Sequence, residues 1–440
     1  MNIIAGLESE ECIKSELDLF STPPTQTAIE DGIWDTILPH PNFRDSSTIR
    51  FDIPGTSANY LDLSQTELHC EIQCLTANNA GYNATDKKKI SVVNNLLHSL
   101  FKQIKVLMNN SPVENTNDTY AYRAYMENLL LYSKEAKNSF LRAENWIKDN
   151  EHMNYIGAND DTKVNTGFDF RSNLLSEKKS QHLVGKLHLD VFNINRLMLN
   201  NLNIQLLFSR SDPKFYLMGS LDSIGDFKIY INNIYLKIRR VSVSPSVMYA
   251  HTLALEKTTA KYPLKRVVLK ALTVPYNSTK FSLVGIHSGV MPTRAVFGFL
   301  DTSANDGAYT SNPFEFKHFN IKEINLKIAS KSVPYSTPLT FDFVNDDYMN
   351  GYTGMFKNIR EAPNDISYED YKNGNTLFAF DLSPDLCSSS HYSLTKDGSL
   401  DLDVLLATPQ NSSITVIAYL EFDNVLEIND KRHIIFDYKI

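Results

Sequence analysis

Two pairs of neighbouring residues could carry chemistry in this chain. Cys387 and His391 lie in a serine-rich turn after Pro384, where a thiol and an imidazole could act as nucleophile and general base. Asp346 and Asp347 could supply the two carboxylates that glycoside hydrolysis requires. Adjacent residues of an extended chain point in opposite directions, however, so these two acids are more typical of a solvated loop. We interpret Cys387 in a similar way, as a loop thiol beside a surface histidine.

The familiar signatures of enzyme and metal sites are missing from the sequence. It contains no GxxxxGK[ST] phosphate loop, no HExxH, no GxSxG and no set of Cys and His residues with zinc spacing. The acids between Asp342 and Gly351 lack the alternation of a calcium-binding loop. We therefore predict a protein that is not an enzyme and has no catalytic residues, no cofactor and no metal site.

The charge distribution argues against a protein that grips nucleic acid. The 440 residues include 43 Lys and Arg against 51 Asp and Glu, which gives a formal net charge of -8. The basic run at residues 87–89 sits among Asn, Thr and Asp, and we interpret it as a solvated loop. With few phosphates to neutralise, little counterion release is available to drive binding. We predict weak DNA binding without sequence preference.

The amino terminus and the cysteines predict a protein of a reducing compartment. Acidic residues crowd positions 8–11, so no signal peptide is expected, and no stretch approaches the roughly 20 apolar residues of a membrane span. Cys70 and Cys74 lie on one face of a predicted strand but about 13 Å apart, which is too far for a disulfide.

The stretch at residues 226–270 joins two halves of the chain that resemble each other. Its first part, residues 226–243, alternates apolar and polar residues as a half-buried strand does. After Asn232 and Asn233 the alternation resumes one step out of phase. A strand can change parity in this way only at a bulge or a turn, so we predict one here.

A short helical connector is predicted after this strand. Pro245 ends strand pairing, and Ser246 can cap a helix that runs through Glu256. Tyr262-Pro263 is expected to end the helix before a new apolar strand starts at Leu264.

Three short patterns recur in the same order in both halves and predict a duplicated β-domain. Each repeat is weak alone, because alternating strands resemble one another by chance, but a shared order is harder to obtain by accident. The repeats are residues 53–54 and 60–63 against 274–275 and 281–284, residues 187–191 against 378–382, and residues 202–207 against 400–405.

Many short strands, long polar loops and few helices predict an all-β fold of the jelly-roll type. The length and the hydrophobic content of 42% are sufficient for two sandwiches. Long surface loops are expected at residues 145–180 and 344–375. The predicted strands are 49–53, 66–75, 100–108, 183–191, 202–208, 227–243, 264–274, 281–286, 294–300, 321–328, 377–382, 400–405, 414–422 and 433–438.

Residues 1–45 are predicted to form an extended arm. They lack strand alternation, and four prolines are expected to keep them out of a central sheet. The segment is nevertheless too apolar to remain in water, so we expect it to pack on its own domain or on a neighbouring molecule. The arm residues proposed for such contacts are Leu17, Leu19, Phe20 and Trp34.

The clearest helix is predicted at residues 118–137, with Asp118 as its cap. Its apolar stripe includes Tyr125 and Leu129. One interpretation is an insertion whose stripe contacts a neighbouring subunit through these two residues. The other is a helix that lies on its own sandwich.

Segments spread over nearly the whole chain carry a family resemblance. The more specific ones are residues 14–27, around Pro24, and residues 312–319, around Pro313. The others are residues 51–55, 60–63, 183–190, 260–266 and 292–294, together with Arg432, Asp437 and Tyr438. Together they resemble the major capsid protein of Polinton (Maverick) elements and the related adintoviruses.

The resemblance implies a double jelly-roll, in which two antiparallel eight-stranded β-sandwiches stand side by side with a helix and long loops inserted. It also implies a homotrimer that forms a pseudo-hexagonal capsomer. Neighbouring capsomers would tile an icosahedral shell around double-stranded DNA, with a single jelly-roll penton protein at the vertices and minor capsid proteins as further partners. The chain would then belong to the virion capsid, be made in the host cytoplasm, and assemble there or in the nucleus.

On this interpretation the chain divides into an arm over residues 1–45, a first jelly-roll over 46–245, a helical connector over 246–261 and a second jelly-roll over 262–440. Two other functions stay open at this point. A carbohydrate-binding module or glycosidase on a two-sandwich fold could stack sugars on tyrosines of residues 348–352, although a signal peptide or disulfides would then be expected. A host scaffold protein domesticated from a capsid gene would share the sequence features of a capsid subunit.

Overall fold

The computed structural model describes residues 14–76, 78, 80–81, 90–150, 152–156, 164–220, 224, 227–359, 364–386, 391–394 and 396–436. Within these ranges no helix is both long and apolar enough to cross a membrane. Cys12, residues 87–89, Cys387, Asp437 and Tyr438 lie outside the described residues.

The first half of the chain forms two four-stranded antiparallel sheets. Their strand orders are β1-β10-β3-β7 and β2-β8-β5-β6, and β4 pairs with β9 in a small separate sheet. The buried faces of both large sheets contribute to one hydrophobic core. The strands are β1 (Ile29–Ile37), β2 (Thr48–Ile53), β3 (Asn59–Leu75), β4 (Ile90–Val92), β5 (Phe101–Met108), β6 (Ser111–Asn115), β7 (Gln181–Lys186), β8 (Ile204–Arg210), β9 (Leu217–Gly219) and β10 (Lys228–Val243).

The second half repeats this arrangement. Its sheets have the orders β11-β19-β13-β17 and β12-β18-β14-β15, with β20 added to β19 and β16 added to β14. The strands are β11 (Ala260–Val274), β12 (Lys280–Val290), β13 (Arg294–Asp301), β14 (Ile321–Ile328), β15 (Lys331–Ser332), β16 (Leu339–Thr340), β17 (Leu377–Asp381), β18 (Asp397–Leu406), β19 (Ile414–Ile428) and β20 (Ile434–Phe436).

The two halves match strand for strand. Reading across the sheets, β1, β10, β3 and β7 correspond to β11, β19, β13 and β17, while β2, β8, β5 and β6 correspond to β12, β18, β14 and β15. Both halves therefore follow the same path through two sheets, and the chain is a double jelly-roll, as predicted.

Of the three sequence repeats from which the duplication was inferred, only one lies on strands that are equivalent in the two halves. Residues 204–207 of the third repeat and residues 400–405 do lie on the equivalent strands β8 and β18. Residues 53–63, however, span the connection from β2 to β3. Residues 274–284 span the connection from β11 to β12, and these two strands are equivalent to β1 and β2. Residues 187–191 follow β7, whereas residues 378–381 lie within β17. Alternating patterns thus recur in strands that are not equivalent.

Short helices fill the connections between strands. The segment predicted as a loop at residues 145–180 contains a helix at Thr166–Leu175. The segment predicted as a loop at residues 344–375 contains two helices, at Met349–Asn358 and Tyr368–Lys372. The helices are α1 (Leu96–Ser99), α2 (Tyr120–Leu131), α3 (Lys134–Asn138), α4 (Thr166–Leu175), α5 (Pro213–Tyr216), α6 (Pro245–Leu255), α7 (Thr302–Asn305), α8 (Met349–Asn358) and α9 (Tyr368–Lys372), with 3-10 turns at Ser15–Leu17, Phe140–Glu144 and Asp190–Asn193.

Local caps explain why helices form in these polar segments. The side chain of Asn165 accepts a hydrogen bond from the backbone N–H of Phe168 at the start of α4. At α9, Ser367 and Asp370 form a capping box in which each side chain accepts from the other residue's backbone N–H. Such bonds satisfy N–H groups that have no partner within the helix.

Strand β1 shows that the expectation of an extended arm over residues 1–45 is wrong for its second part. Residues 29–37 pair antiparallel with β10, from Ile29 opposite Val243 to Ile37 opposite Leu236. The prolines of this segment lie before and after the strand and interrupt no pairing. By sheet membership, the first jelly-roll begins at β1 rather than at residue 46.

Strand β10 contains the bulge that its change of parity predicts. Its register with β3 shifts between Ile231 and Asn233, and a second shift lies between Lys237 and Arg239. Each shift lets the buried side chains return to the core face after the alternation changes phase.

The connector helix α6 differs from its prediction at both ends. It begins at Pro245, with Ser244 rather than Ser246 at the N-cap, and it ends at Leu255. Tyr262 and Pro263 lie inside β11, so this proline does not end the helix.

The helix predicted at residues 118–137 is divided into α2 and α3. Asp118 has a φ of 60°, a left-handed conformation, and Thr119 takes the N-cap position instead. An extended residue, Tyr132, separates the two helices, and the side chain of Ser133 caps α3. Nearly every residue of α2 is buried, which indicates a helix enclosed by protein on all sides.

Candidate assembly surfaces

The residues singled out for chemistry are exposed in the described part of the chain. His391 Nε2 lies 2.6 Å from a carboxylate oxygen of Asp385, on the surface. Asp346 is also exposed, and its carboxylate accepts a hydrogen bond from Lys372 Nζ at 2.5 Å. Asp347 is exposed in a turn closed by backbone hydrogen bonds to Asp342. This surface setting offers these groups no enclosed site.

The segment before β1 presents apolar side chains to solvent. All residues from 14 to 30 are exposed, and Leu17, Leu19 and Phe20 are 70%, 75% and 97% accessible. Trp34 on β1 is 53% accessible. Burying such side chains is worth roughly 1.5–3 kcal/mol each, so this surface favours contact with another molecule.

Strand β1 adds an unpaired sheet edge to the same surface. It is the first strand in the order β1-β10-β3-β7, and within the described residues no strand pairs with its outer side. Unpaired edges are common sites of association because their backbone groups can accept another strand.

An apolar groove of about 470 Å³ lies where the two jelly-rolls meet the connector. The start of β1 contributes Ile29, helix α6 contributes Val247 and Leu255, and β11 contributes Tyr262. A hydrogen bond of 2.9 Å between Tyr60 Oη and His251 Nδ1 holds α6 to β3 at its border. The groove is therefore continuous with the exposed segment that precedes β1.

Helix α2 packs between the two jelly-rolls. The ring of Tyr125 stacks on Phe314 of the second half, with centroids 4.2 Å apart and planes 1° from parallel. The hydroxyl of Tyr122 donates to Asn305 Oδ1 over 3.2 Å. The helix thus belongs to the first half by sequence but contacts both halves.

A buried ion network crosses this interface. The guanidinium of Arg123 contacts three carboxylates, at 2.9 Å to Glu114, 2.8 Å to Glu127 and 2.7 Å to Asp190. The backbone N–H of Val267, on β11, donates to Asp190 over 3.1 Å, and the hydroxyl of Tyr419, on β19, donates to Glu127 over 3.4 Å. Groups of the second jelly-roll therefore hydrogen-bond to two of the carboxylates that contact the Arg123 guanidinium.

Three carboxylates around one guanidinium cannot all ionise easily inside a protein. Burial raises the pKa of Glu114, and the neighbouring Asp190 carboxylate raises it further. Burial also raises the pKa of Asp190, although Arg123 opposes the shift. The pKa of Glu127 falls to about 2 despite its burial, because Arg123 and His188 stabilise its charged form. These raised pKa values favour the protonated form of a carboxyl in the pair formed by Glu114 and Asp190.

Further polar contacts join the two halves of the chain. Arg432 donates to the backbone oxygen and the side chain of Asn200, at 2.9 and 2.7 Å. Arg196 donates to the Lys261 carbonyl over 2.6 Å. On another part of the interface, Lys148 pairs with Asp370 at 2.6 Å, and Lys137 pairs with Asp365. These directional contacts fix the relative orientation of the two jelly-rolls.

The structure separates the six residues proposed for subunit contacts into two groups. Leu17, Leu19, Phe20 and Trp34 are on the surface. Tyr125 and Leu129 are instead inside the chain, 2% and 5% accessible, because α2 is covered by the second jelly-roll. The interpretation in which the helix lies on its own chain is therefore the one that the structure shows.

The ion network was missed because its members come from distant parts of the sequence. A signal existed in Arg123 and Glu127, which form an i,i+4 pair inside an otherwise apolar helix. A charged pair at such a position indicates a buried partner rather than a solvated face.

No protein-family model matches the chain. It is 24% identical to the uncharacterized protein F54H12.2 of Caenorhabditis elegans over 429 residues, which cover 94% of this chain and 99% of the relative. This similarity extends over both jelly-rolls.

Solved structures with a similar fold come from viruses. A chain of the Sputnik virophage matches with a TM-score of 0.66 at 13% identity, covering 99% of this chain and 94% of its own. A chain of the PBCV-1 virus capsid gives 0.59 at 8% identity, over 95% and 99%. The Faustovirus major capsid protein gives 0.56 at 10% identity, over 92% of each chain. At these identities the similarity is one of fold, and it covers both jelly-rolls together.

Proposed function

We propose that this chain is a structural capsid subunit, the major capsid protein of an icosahedral shell around double-stranded DNA, related to those of Polinton elements and adintoviruses. The observation that carries the proposal is the duplication itself. Two jelly-rolls with the same strand order stand side by side in one chain. Three such chains around a threefold axis present six similar units, and this outline can tile a surface as a hexagon does.

The buried interface supports the proposal because a tile must be rigid. The Arg123 network and the stacked pair of Tyr125 and Phe314 join the two jelly-rolls within one chain. A capsomer built from such chains would keep its six-fold outline while contacts with neighbouring capsomers form.

The exposed segment before β1 supports a role in assembly. Leu17, Leu19, Phe20 and Trp34 offer apolar surface next to an open sheet edge. In a shell this segment would run beneath its own capsomer or a neighbouring one and bury these side chains there. Other partners on this proposal are a single jelly-roll penton protein at the vertices and minor capsid proteins.

The setting of Tyr348, at the start of α8, does not favour the carbohydrate-binding alternative. Tyr348 is buried between Phe343 and Tyr368, at ring distances of 5.2 and 4.3 Å. A ring stacked on both faces offers no face to a sugar.

The oligomeric state tests the capsomer. Light scattering of the purified chain is expected to give roughly 150 kDa, because three chains of 50.0 kDa form the trimer. Electron microscopy should then show hexagonal particles or shells. A 50.0 kDa species at micromolar concentration, with no larger particles, would reject the proposal.

Two truncations test the role of the segment before β1. Removal of residues 1–27 should leave the melting temperature and the trimer mass unchanged but lower the yield of shells, since the described residues of this segment are exposed. Removal of residues 1–44 deletes β1 as well and should also destabilise the first jelly-roll. Matched point variants are Phe20→Ser in the segment and Tyr276→Ser, an exposed aromatic residue of the second jelly-roll. Normal shells from the shorter truncation would exclude the segment from assembly.

DNA binding tests the remaining part of the proposal. A chain with a net charge of -8 is expected to enclose DNA without gripping it. Mobility-shift assays at physiological salt should therefore detect weak binding without sequence preference. Submicromolar binding would contradict this expectation and would point to the basic run at residues 87–89.

A further inference from the structure

The core of the first jelly-roll contains two imidazoles and a carboxylate that face one another. His98, Glu144 and His188 are buried and lie on α1, on the 3-10 turn Phe140–Glu144 and just after β7. One nitrogen or oxygen atom from each lies within 4.8 Å of the others. His98 Nε2 is 3.3 Å from Glu144 Oε2, and the two rings meet edge to face with centroids 4.7 Å apart.

The inner nitrogens of both histidines have no hydrogen-bond partner. Nε2 of His98 and Nε2 of His188 are fully buried, and no group of the described chain lies in hydrogen-bonding geometry with either. The contact between His98 and Glu144 is close enough for an ion pair but lacks that geometry. Buried polar groups are nearly always satisfied, so two unsatisfied nitrogens at one point require an explanation.

The outer nitrogens, by contrast, are held firmly. Nδ1 of His188 lies 2.6 Å from Glu127 Oε2, and Nδ1 of His98 lies 2.9 Å from the Tyr120 hydroxyl. Asn128 Nδ2 donates to Glu144 over 2.8 Å. A proton on Nδ1 of His188, donated to Glu127, leaves the lone pair of Nε2 directed into the cluster. A carboxylate behind a histidine in this way is the usual support of a metal ligand.

The electrostatics of the cluster are compatible with a cation. Histidine binds metals through a neutral imidazole, and a carboxylate beside it supplies charge to the ion. The side chain of Glu144 is 5% accessible and can supply a negative charge to a bound cation. An uncompensated carboxylate would be costly at this depth.

We propose that His98, Glu144 and His188 bind a zinc ion that stabilises the core of the first jelly-roll. Two imidazole nitrogens and one carboxylate oxygen are a common zinc donor set, with a water molecule in the fourth position. In a tetrahedral site with metal–ligand distances of about 2.0 Å the ligand atoms are roughly 3.3 Å apart, so small side-chain rotations suffice. Through Glu127 the ion would also support the Arg123 network and hence the contact between the jelly-rolls.

Metal content of the full-length, untagged chain tests the site. After dialysis against metal-free buffer, elemental analysis should find close to one zinc ion per chain. A strong chelator should lower the melting temperature, and added zinc should restore it. Absence of bound zinc, together with a melting temperature that neither chelator nor zinc changes, would overturn the proposal.

Matched histidine variants locate the ion. His188→Gln should lose the zinc, while His287→Gln should retain it, because His287 is equally buried in the second jelly-roll but already bonds the Val290 carbonyl at 2.9 Å. Tyr120→Phe removes the hydroxyl that supports His98 Nδ1 but none of the proposed ligands, and it should weaken zinc binding about 10-fold in competition with a chelating dye. Undiminished zinc in His188→Gln would reject the site.

Cobalt substitution tests the ligands spectroscopically in the wild-type chain, so it does not require that any variant folds. Co²⁺ bound to the wild-type chain should show the visible absorption of a tetrahedral ion with nitrogen and oxygen ligands. Thiolate charge-transfer bands would instead place the ion on cysteines and overturn the assignment to His98, Glu144 and His188.

Discussion

The two jelly-rolls have the same strand order but differ in the segments inserted between equivalent strands. In the first, the chain between β6 and β7 forms α2, α3 and α4; in the second, the chain between β16 and β17 forms α8 and α9. The two insertions meet, since Lys148 of the first pairs with Asp370 of the second at 2.6 Å. The two jelly-rolls therefore carry different insertions at equivalent positions of the same fold.

The two insertions differ in their main buried contacts, although Tyr125 of the first also stacks on Phe314. We call the first the charged insertion and the second the aromatic insertion. In the first insertion, Arg123 and Glu127 belong to a buried ion network. In the second, Tyr348 and Tyr368 stack in an aromatic cluster with Tyr371. Aromatic packing gives stability with loose directional demands, whereas buried charges tolerate only one arrangement of their partners. We interpret the charged insertion as the one that sets the orientation of the jelly-rolls, and the aromatic insertion as local support.

The largest expected difference between the insertions follows from adding a charge to each. Leu129→Asp places a carboxylate inside the first insertion, where the neighbouring Lys137 ammonium already pairs with Asp365 and binds the Leu129 carbonyl. We expect a loss of roughly 4 kcal/mol or more in unfolding free energy, measured by denaturant titration. Met349→Asp, at an exposed position at the start of α8, is the control and should change stability by less than about 0.5 kcal/mol. Equal losses of unfolding free energy in the two variants would contradict the difference in burial between Leu129 and Met349.

Removing a cation from each insertion should give the next largest effect. Arg123→Met leaves buried carboxylates without their partner and should cost about 3–5 kcal/mol. Lys372→Met breaks a pair with Asp346, which is largely exposed, and should cost less than about 1 kcal/mol. If Arg123→Met proves as stable as the wild type, the network does not hold the interface together.

The charged insertion should also impose a pH dependence that the aromatic one lacks. The folded chain raises the pKa of Glu114 from 4.5 to about 8, mainly through burial, and also raises that of Asp190. Between these values the folded state holds a proton that the unfolded state releases, so stability should fall as pH rises from about 5 to about 8. Glu114→Gln should flatten this slope in melting curves, while Glu369→Gln, on α9 of the other insertion, should leave it unchanged. A slope that survives Glu114→Gln would assign it to other groups.

Local alternation was sufficient to predict an all-β fold of the jelly-roll type and the bulge in β10. The double jelly-roll was implied by the family resemblance. The sequence was insufficient for β1, whose alternation is blurred by its place at a sheet edge, where both faces are largely exposed. Helices α4, α8 and α9 of the insertions were missed, although Ser367 and Asp370 carry a capping-box signature. Short capped helices in polar segments have little apolar periodicity to reveal them.

The buried polar clusters could not have been predicted from spacing. Arg123 contacts Glu114 and Glu127 nearby, but Asp190 approaches only through the fold. His98 and His188 likewise meet because α1 and the end of β7 pack together. Sequence motifs describe ligands on one local element, whereas these sets are assembled from several.

The same small change at both insertions gives the finest test of the contrast. Tyr371→Phe removes a hydroxyl that donates to the Leu377 carbonyl over 3.2 Å, and the ring keeps its packing, so the expected cost is about 1 kcal/mol. Tyr120→Phe removes the hydroxyl next to Nδ1 of His98 and leaves a further nitrogen without a partner in a polar cluster.

Burial of an unsatisfied group costs about 1–3 kcal/mol, so Tyr120→Phe should be the more destabilising of the two. Both variants can be compared by denaturant titration of chelator-treated protein, which separates the lost hydrogen bond from any lost metal. A larger effect for Tyr371→Phe would mean that the aromatic insertion depends on the hydrogen bonds of its tyrosine hydroxyls at least as strongly as the charged insertion depends on its polar contacts. The different roles assigned to the two insertions would then be wrong.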